Sequence, residues 1–232
     1  MTDSSPIRPV QYRDGRPVPH ITAWSREQVP PQPLAVIHGH GGRGLGFEDE
    51  VSHIDRHYDV PWMRMPATRG GHPRYENVHA LRQRQAMSRL LCQMCGGPTL
   101  GTRRDERSLF LVASAGGRPI ADGELTTSPP THAVCARLAL EHCPPLRRRG
   151  WAAALVEHTP VWGVSGLLYH PQSLEPVPTA DVSGMHRISF TDDRSLRWTL
   201  AARLIIALEG VTAVTDLDVL SDEGTAVARG SR

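Results

Sequence analysis

Apolar residues fall along this chain in short runs separated by polar, glycine and proline breaks, and the runs alternate between two periods. Strand-like runs are His20-Ile-Thr-Ala-Trp-Ser25, Leu34-Ala-Val-Ile-His38 beyond the Pro30-Pro31-Gln-Pro33 break, Val60-Pro-Trp-Met-Arg-Met65, Trp151 to Val156, Val161 to Tyr169 and His186-Arg-Ile-Ser-Phe190. Ser108 to Ser114 and Arg118 to Leu125 read as a hairpin turned at Ala115-Gly-Gly117. Helical spacing comes in three places. Asn77 caps a pattern from Val78 to Leu91 with Arg82, Arg84 and Arg89 toward solvent, and Thr131 caps one from His132 to His142 that Pro144-Pro145 ends. Leu196, Leu200, Leu204 and Leu208 then recur every fourth residue behind a Thr191 or Asp192 cap, with Gly210 as the stop. The fold class expected is α+β: short antiparallel strands around a central module, with a C-terminal amphipathic helix. Its divisions are 1–75, irregular and β; 76–148, helix plus central module; 149–222, strands and C-terminal helix; and a loose tail, 223–232.

Composition changes this picture little. The 21 Gly and 20 Pro agree with many turns and short elements. All 26 basic residues are arginine and Asn77 is the only asparagine, a bias that resembles proteins of high-GC bacteria. A net charge of +2 argues for no polyanionic partner by itself. No apolar run approaches the roughly 18 residues of a membrane span, and the first residues lack a secretion signal. The expectation is a cytoplasmic protein, where a Cys-x-x-Cys favours metal over disulfides.

The candidate chemistry lies in the central module, which holds all four cysteines. Cys92-Gln-Met-Cys95-Gly is a turn that offers two sulfurs to one ion, and Pro-Pro-Thr-His132-Ala-Val-Cys135 offers two more ligands at i and i+3 on the first turn of a helix. Cys143 lies eight residues beyond Cys135, about 12 Å along a helix, too far to share an ion with it. The expected metal ligands are therefore Cys92, Cys95, His132 and Cys135, with Cys143 as the alternative fourth ligand to His132. A knuckle, a hairpin over 108–125 and a helix returning two ligands resemble a treble-clef zinc finger across residues 88–145. That resemblance implies a structural zinc. HNH nucleases share the treble clef, but Asp122-Gly-Glu-Leu-Thr-Thr has no histidine before the turn and the helix offers no further ligand for a second ion.

Three other constellations carry possible chemistry. Glu50, His53 and His57 would share one face of a helix at i, i+3 and i+7 as a second metal site, with His38 and His40 nearby in a glycine-rich loop. Val36-Ile-His38-Gly-His-Gly-Gly42 and Val112-Ala-Ser114-Ala-Gly-Gly117 resemble the oxyanion loop and nucleophile elbow of α/β-hydrolases, although a turn into a strand follows Ser114 where the elbow needs a helix. Arg147, Arg148 and Arg149 leave the zinc helix beside Trp151, and with Arg103, Arg104 and Arg107 they make an arginine-rich face suited to nucleic acid or an acidic protein partner. The leading function is a zinc-stabilised binding protein. The rival is a small-molecule enzyme at Glu50, His53 and His57.

Overall fold

Trp151-Ala-Ala-Ala-Leu-Val156 carries apolar side chains at consecutive positions, as a strand covered on both faces must, and the layers of the protein are stacked on it. The computed structural model describes residues 7–39 and 42–220. In chain order its strands are β1 (Gln11–Arg13), β2 (Arg16–Val18), β3 (Thr22–Trp24), β4 (Leu34–Gly39), β5 (Gly42–Phe47), β6 (Arg56–His57), β7 (Val60–Pro61), β8 (Pro73–Val78), β9 (Ser108–Ala113), β10 (Glu124–Thr126), β11 (Trp151–Val156), β12 (Val161–Leu168), β13 (His186–Ser189), β14 (Thr199–Leu208) and β15 (Thr212–Val214). The helices are α1 (Ser52–Asp55), α2 (Ala80–Ser88), α3 (Ala133–His142), α4 (Pro144–Arg149) and α5 (Asp193–Leu196). This is an α+β protein, and every ladder between its named strands is antiparallel.

Two sheets carry the architecture, a three-stranded one in the order β15-β11-β9 and a four-stranded one in the order β10-β14-β12-β13. Strand alternation divides the residues of the first between two cores. Phe110, Ala152, Ala154 and Val156 pack with Val164, Leu204, Ile206 and Leu208 of the second sheet. Their neighbours Leu109, Leu111, Ala153 and Leu155 face Cys92, Cys95, Cys135, Ala136 and Ala139. The three-stranded sheet thus lies between the cysteine-bearing module and the four-stranded sheet. The same sheets cross the division placed at residue 148, since β9 pairs with β11 and β10 with β14.

The expected C-terminal helix is instead the buried central strand β14. A spacing of four equals two strand periods as well as about one helical turn, so the leucine spacing over 200–208 fits either state. Burial of Ile205 between the buried Leu204 and Ile206, which covers the strand on both faces, decides for the strand. The expected hairpin over 108–125 is also absent: β9 and β10 enter different sheets, and the Gly116-Gly117 turn, with both residues at positive φ, redirects the chain without pairing its flanks. By contrast, the glycine-rich segment around Gly42 is itself a hairpin, β4 with β5.

Asn77 caps no helix but belongs to β8, and α2 starts after His79 without a side-chain cap. Nor does Arg82 face solvent. It is buried, donating through both terminal nitrogens to Glu27 at 2.7 and 2.6 Å and to the Thr22 carbonyl at 2.7 Å. Gln83 is buried too, and its amide replaces a strand partner for β14, accepting from Leu204 N at 2.9 Å and donating to Leu204 O at 3.0 Å. Trp62 and Met63 continue that edge against Ala201. Pro144 and Pro145 do not simply end a helix, because they occupy the opening positions of α4, where a missing N–H costs nothing. Among the described residues no helix is long and apolar enough to cross a membrane.

Candidate metal centre

The knuckle is built by backbone hydrogen bonds that need a tight turn after Cys95. Gly96 N donates to Cys92 O at 2.8 Å, Cys92 N to Gly97 O at 2.7 Å, and Gly97 N to Cys95 Sγ at 3.4 Å. Gly96 has φ +72, and a Cβ there would lie 2.5 Å from the His20 ring, so only glycine fits both the turn and its cover. Residues 20 and 21 bond the knuckle at Met94 O and Gln93 O. On the other side Gln93 N donates to Pro130 O at 2.9 Å, and Thr131 N to Leu109 O at 2.8 Å. The knuckle and the start of α3 are therefore pinned together by main chain as well as by their side chains.

The four expected ligands converge: the sulfurs of Cys92, Cys95 and Cys135 and a ring nitrogen of His132 all lie within 4.8 Å of one another, and all four residues are buried. Cys95 Sγ is 3.4 Å and Cys135 Sγ 3.9 Å from His132 Nδ1. Tetrahedral zinc, with bonds of about 2.3 Å to sulfur and about 2.0 Å to nitrogen, sets neighbouring ligand atoms roughly 3.5–3.8 Å apart. The donor set fits. His132 Nε2 lies 2.8 Å from Pro98 O, which fixes a proton on that nitrogen and turns the Nδ1 lone pair toward the sulfurs. Thr131 Oγ1 lies 3.6 Å from Cys92 Sγ. Cys143 caps the far end of α3 and lies outside this group of four.

Protonation follows the same geometry. Burial opposes a thiolate at Cys92, but hydrogen bonds from Cys135, Cys95 and His132 outweigh it and pull this thiol well below its ordinary value. The Cys92 and Cys95 sulfurs push Cys135 far up, and burial adds to it. At His132 burial disfavours the cation, yet those two sulfurs and the Pro98 carbonyl raise it to about 10. These directions favour negative charge at Cys92 beside positive charge at His132; a divalent cation would let its sulfur ligands ionise and take the imidazole proton's place.

The other candidates do not assemble. Among the described residues no second group of three or more potential ligands forms. α1 is only four residues long, Glu50 accepts from Arg56 Nε and Nη2 at 2.7 and 3.0 Å, His53 is exposed, and His57 lies in β6. His38 is exposed in β4, and His40 lies outside the described residues. Ser114 is followed by a single tight turn rather than a helix, and its hydroxyl donates to Arg118 O at 2.7 Å. Arg103 and Arg107 both chelate Asp105. Arg147, Arg148 and Arg149 keep the expected exposure, as do Arg89 and Arg104, and no ion pair holds the three α4 arginines among the described residues. The sequence had not pointed to Pro98 or His20. The Gly-Gly-Pro after Cys95 was the available signal for the first, and the second comes from distant chain that no local pattern connects.

Comparison with protein-family models, with curated proteins and with solved structures finds no match in any of the three.

Proposed function

We propose that Cys92, Cys95, His132 and Cys135 hold a structural zinc ion and that the protein is a zinc-stabilised binding protein rather than a metalloenzyme. The observation that carries this is closure. Four buried side chains of ligand type converge, enough to fill every position of a tetrahedron, whereas a catalytic zinc needs one left open to water or substrate. The module keeps the knuckle and the helix start of a treble clef while replacing its hairpin with strands of two sheets, so we describe it as treble-clef-like. Three thiols awaiting a metal suit a reducing compartment such as the cytoplasm.

Metal analysis of the purified chain tests the reading: one zinc per chain is expected, falling to none in Cys92→Ser with Cys135→Ser. A chain that is fully folded and metal-free would refute it. The exposed arginines of α4 favour a polyanionic partner, nucleic acid or acidic protein, as the ligand class of that face. Arg147→Glu with Arg148→Glu should abolish a salt-dependent shift of random nucleic acid, and absence of any shift at low salt would remove nucleic acid from consideration.

A further inference from the structure

The glycine-rich hairpin that forms no hydrolase site lies against the junction of α5 and β14, where an open cleft of about 560 Å³ is lined by Arg43, Asp193, Arg194, Arg197 and Trp198. Ligand sites commonly span roughly 300–1,000 Å³. Glycine is what brings the two walls together. Leu45 N donates to Arg197 O at 2.6 Å, and a Cβ on Gly44 would stand 3.0 Å from that same carbonyl oxygen. At Gly42, with φ +99, a Cβ would stand 3.0 Å from Arg197 Nη1, so the guanidinium lies directly on hairpin backbone.

Three arginines and one aspartate stand around the cleft, with much of its wall formed by the carbon of their side chains and of Trp198. Arg43 and Arg194, like the arginines of α4, have no ion pair among the described residues. Trp198 packs against the Leu45, Phe47, Tyr169 and Leu200 cluster while also lining the cleft, which presents a rigid aromatic surface next to the cations. Guanidinium forks match phosphate oxygens, and an indole offers a face to a planar ring.

We propose that this cleft binds a free mononucleotide, with Arg43 and Arg194 on the phosphate and Trp198 against the base. Asp193 then faces the sugar hydroxyls, for which it is an acceptor. None of the metal ligands takes part, so the proposal is independent of the zinc reading.

Calorimetric titration of the full chain at low salt with a nucleoside monophosphate, the matching nucleoside and inorganic phosphate tests it. Saturable binding of the monophosphate is expected, with nucleoside and phosphate each weaker by roughly tenfold or more. Arg43→Ala with Arg194→Ala should weaken the monophosphate by roughly tenfold or more at an unchanged thermal midpoint, while Arg147→Glu with Arg148→Glu leaves it unaffected. No saturable binding, or a double variant that binds like the parent, would overturn the site. Phosphate binding as tightly as the nucleotide would overturn the role of Trp198, and a single-stranded oligonucleotide outcompeting the mononucleotide would overturn the choice of a free ligand.

Discussion

The two faces of the three-stranded sheet are covered by different physics. Toward the four-stranded sheet lie Phe110, Val156, Leu204, Ile206 and Leu208, large side chains in direct contact and nearly without solvent exposure. Toward the candidate metal centre Leu109, Leu111 and Leu155 meet Ala133, Ala136 and Ala139 on the α3 side, with three cysteine sulfurs among them. The first core rests on apolar area removed from water. The second mixes apolar contact with the Cys92, Cys95, His132 and Cys135 cluster, and on the proposed reading an ion draws the knuckle and α3 onto β9 and β11.

The comparison can be broken most severely at the metal. Cys135→Ser should lose zinc and destabilise the protein by more than about 4 kcal/mol, as read from chemical denaturation, because the remaining ligands are left buried without their ion. Glu27→Gln comes next. It strips the carboxylate from an Arg82 whose side chain is 8% exposed, and a buried ion left unpaired costs about 3–5 kcal/mol. Leu204→Ala, at a site with 0% exposure, should cost about 2–5 kcal/mol while zinc content stays at the parent value, which separates the apolar core from the metal-dependent one. Gln83→Leu leaves Leu204 N and O without partners at the β14 edge and should cost about 1–3 kcal/mol.

The smallest effect is acid lability of the α2 junction. Burial holds the His79 imidazole below its ordinary value, so the folded state resists a proton that the unfolded chain accepts; stability falls as pH drops below about 6.5 toward the folded value. Burial works against the Glu27 carboxylate, but its Arg82 and Trp24 hydrogen bonds lower it below its ordinary value, and that contribution is lost as pH falls through the lowered value. His79→Gln should therefore flatten the first part of an acid-denaturation profile and leave the second.

The same comparison explains what could be read in advance. The metal centre was legible because its ligands lie in two short motifs whose internal spacing fixes geometry: a Cys-x-x-Cys turn and an i, i+3 pair. Leu200, Leu204 and Leu208 fit helix and strand alike, and only the partners of β14 decide between them. Arg82 looked like a solvated helix position because its partner Glu27 comes from 55 residues earlier, and no pattern within a helix reports that. Ser108 to Leu125 had a hairpin's turn but not its pairing, since β11 and β14, both later in the chain, take the two strands. Local rules located ligands and turns; competition among distant strands set the topology.

Hydrogen exchange with and without a zinc chelator tests the central claim most directly. Stripping the ion should expose amides of the knuckle, α3 and β9, while Leu204 to Ile206 in β14 keep their protection. If the knuckle and α3 remain as protected as before, the ion does not hold this half of the molecule together, and the account fails.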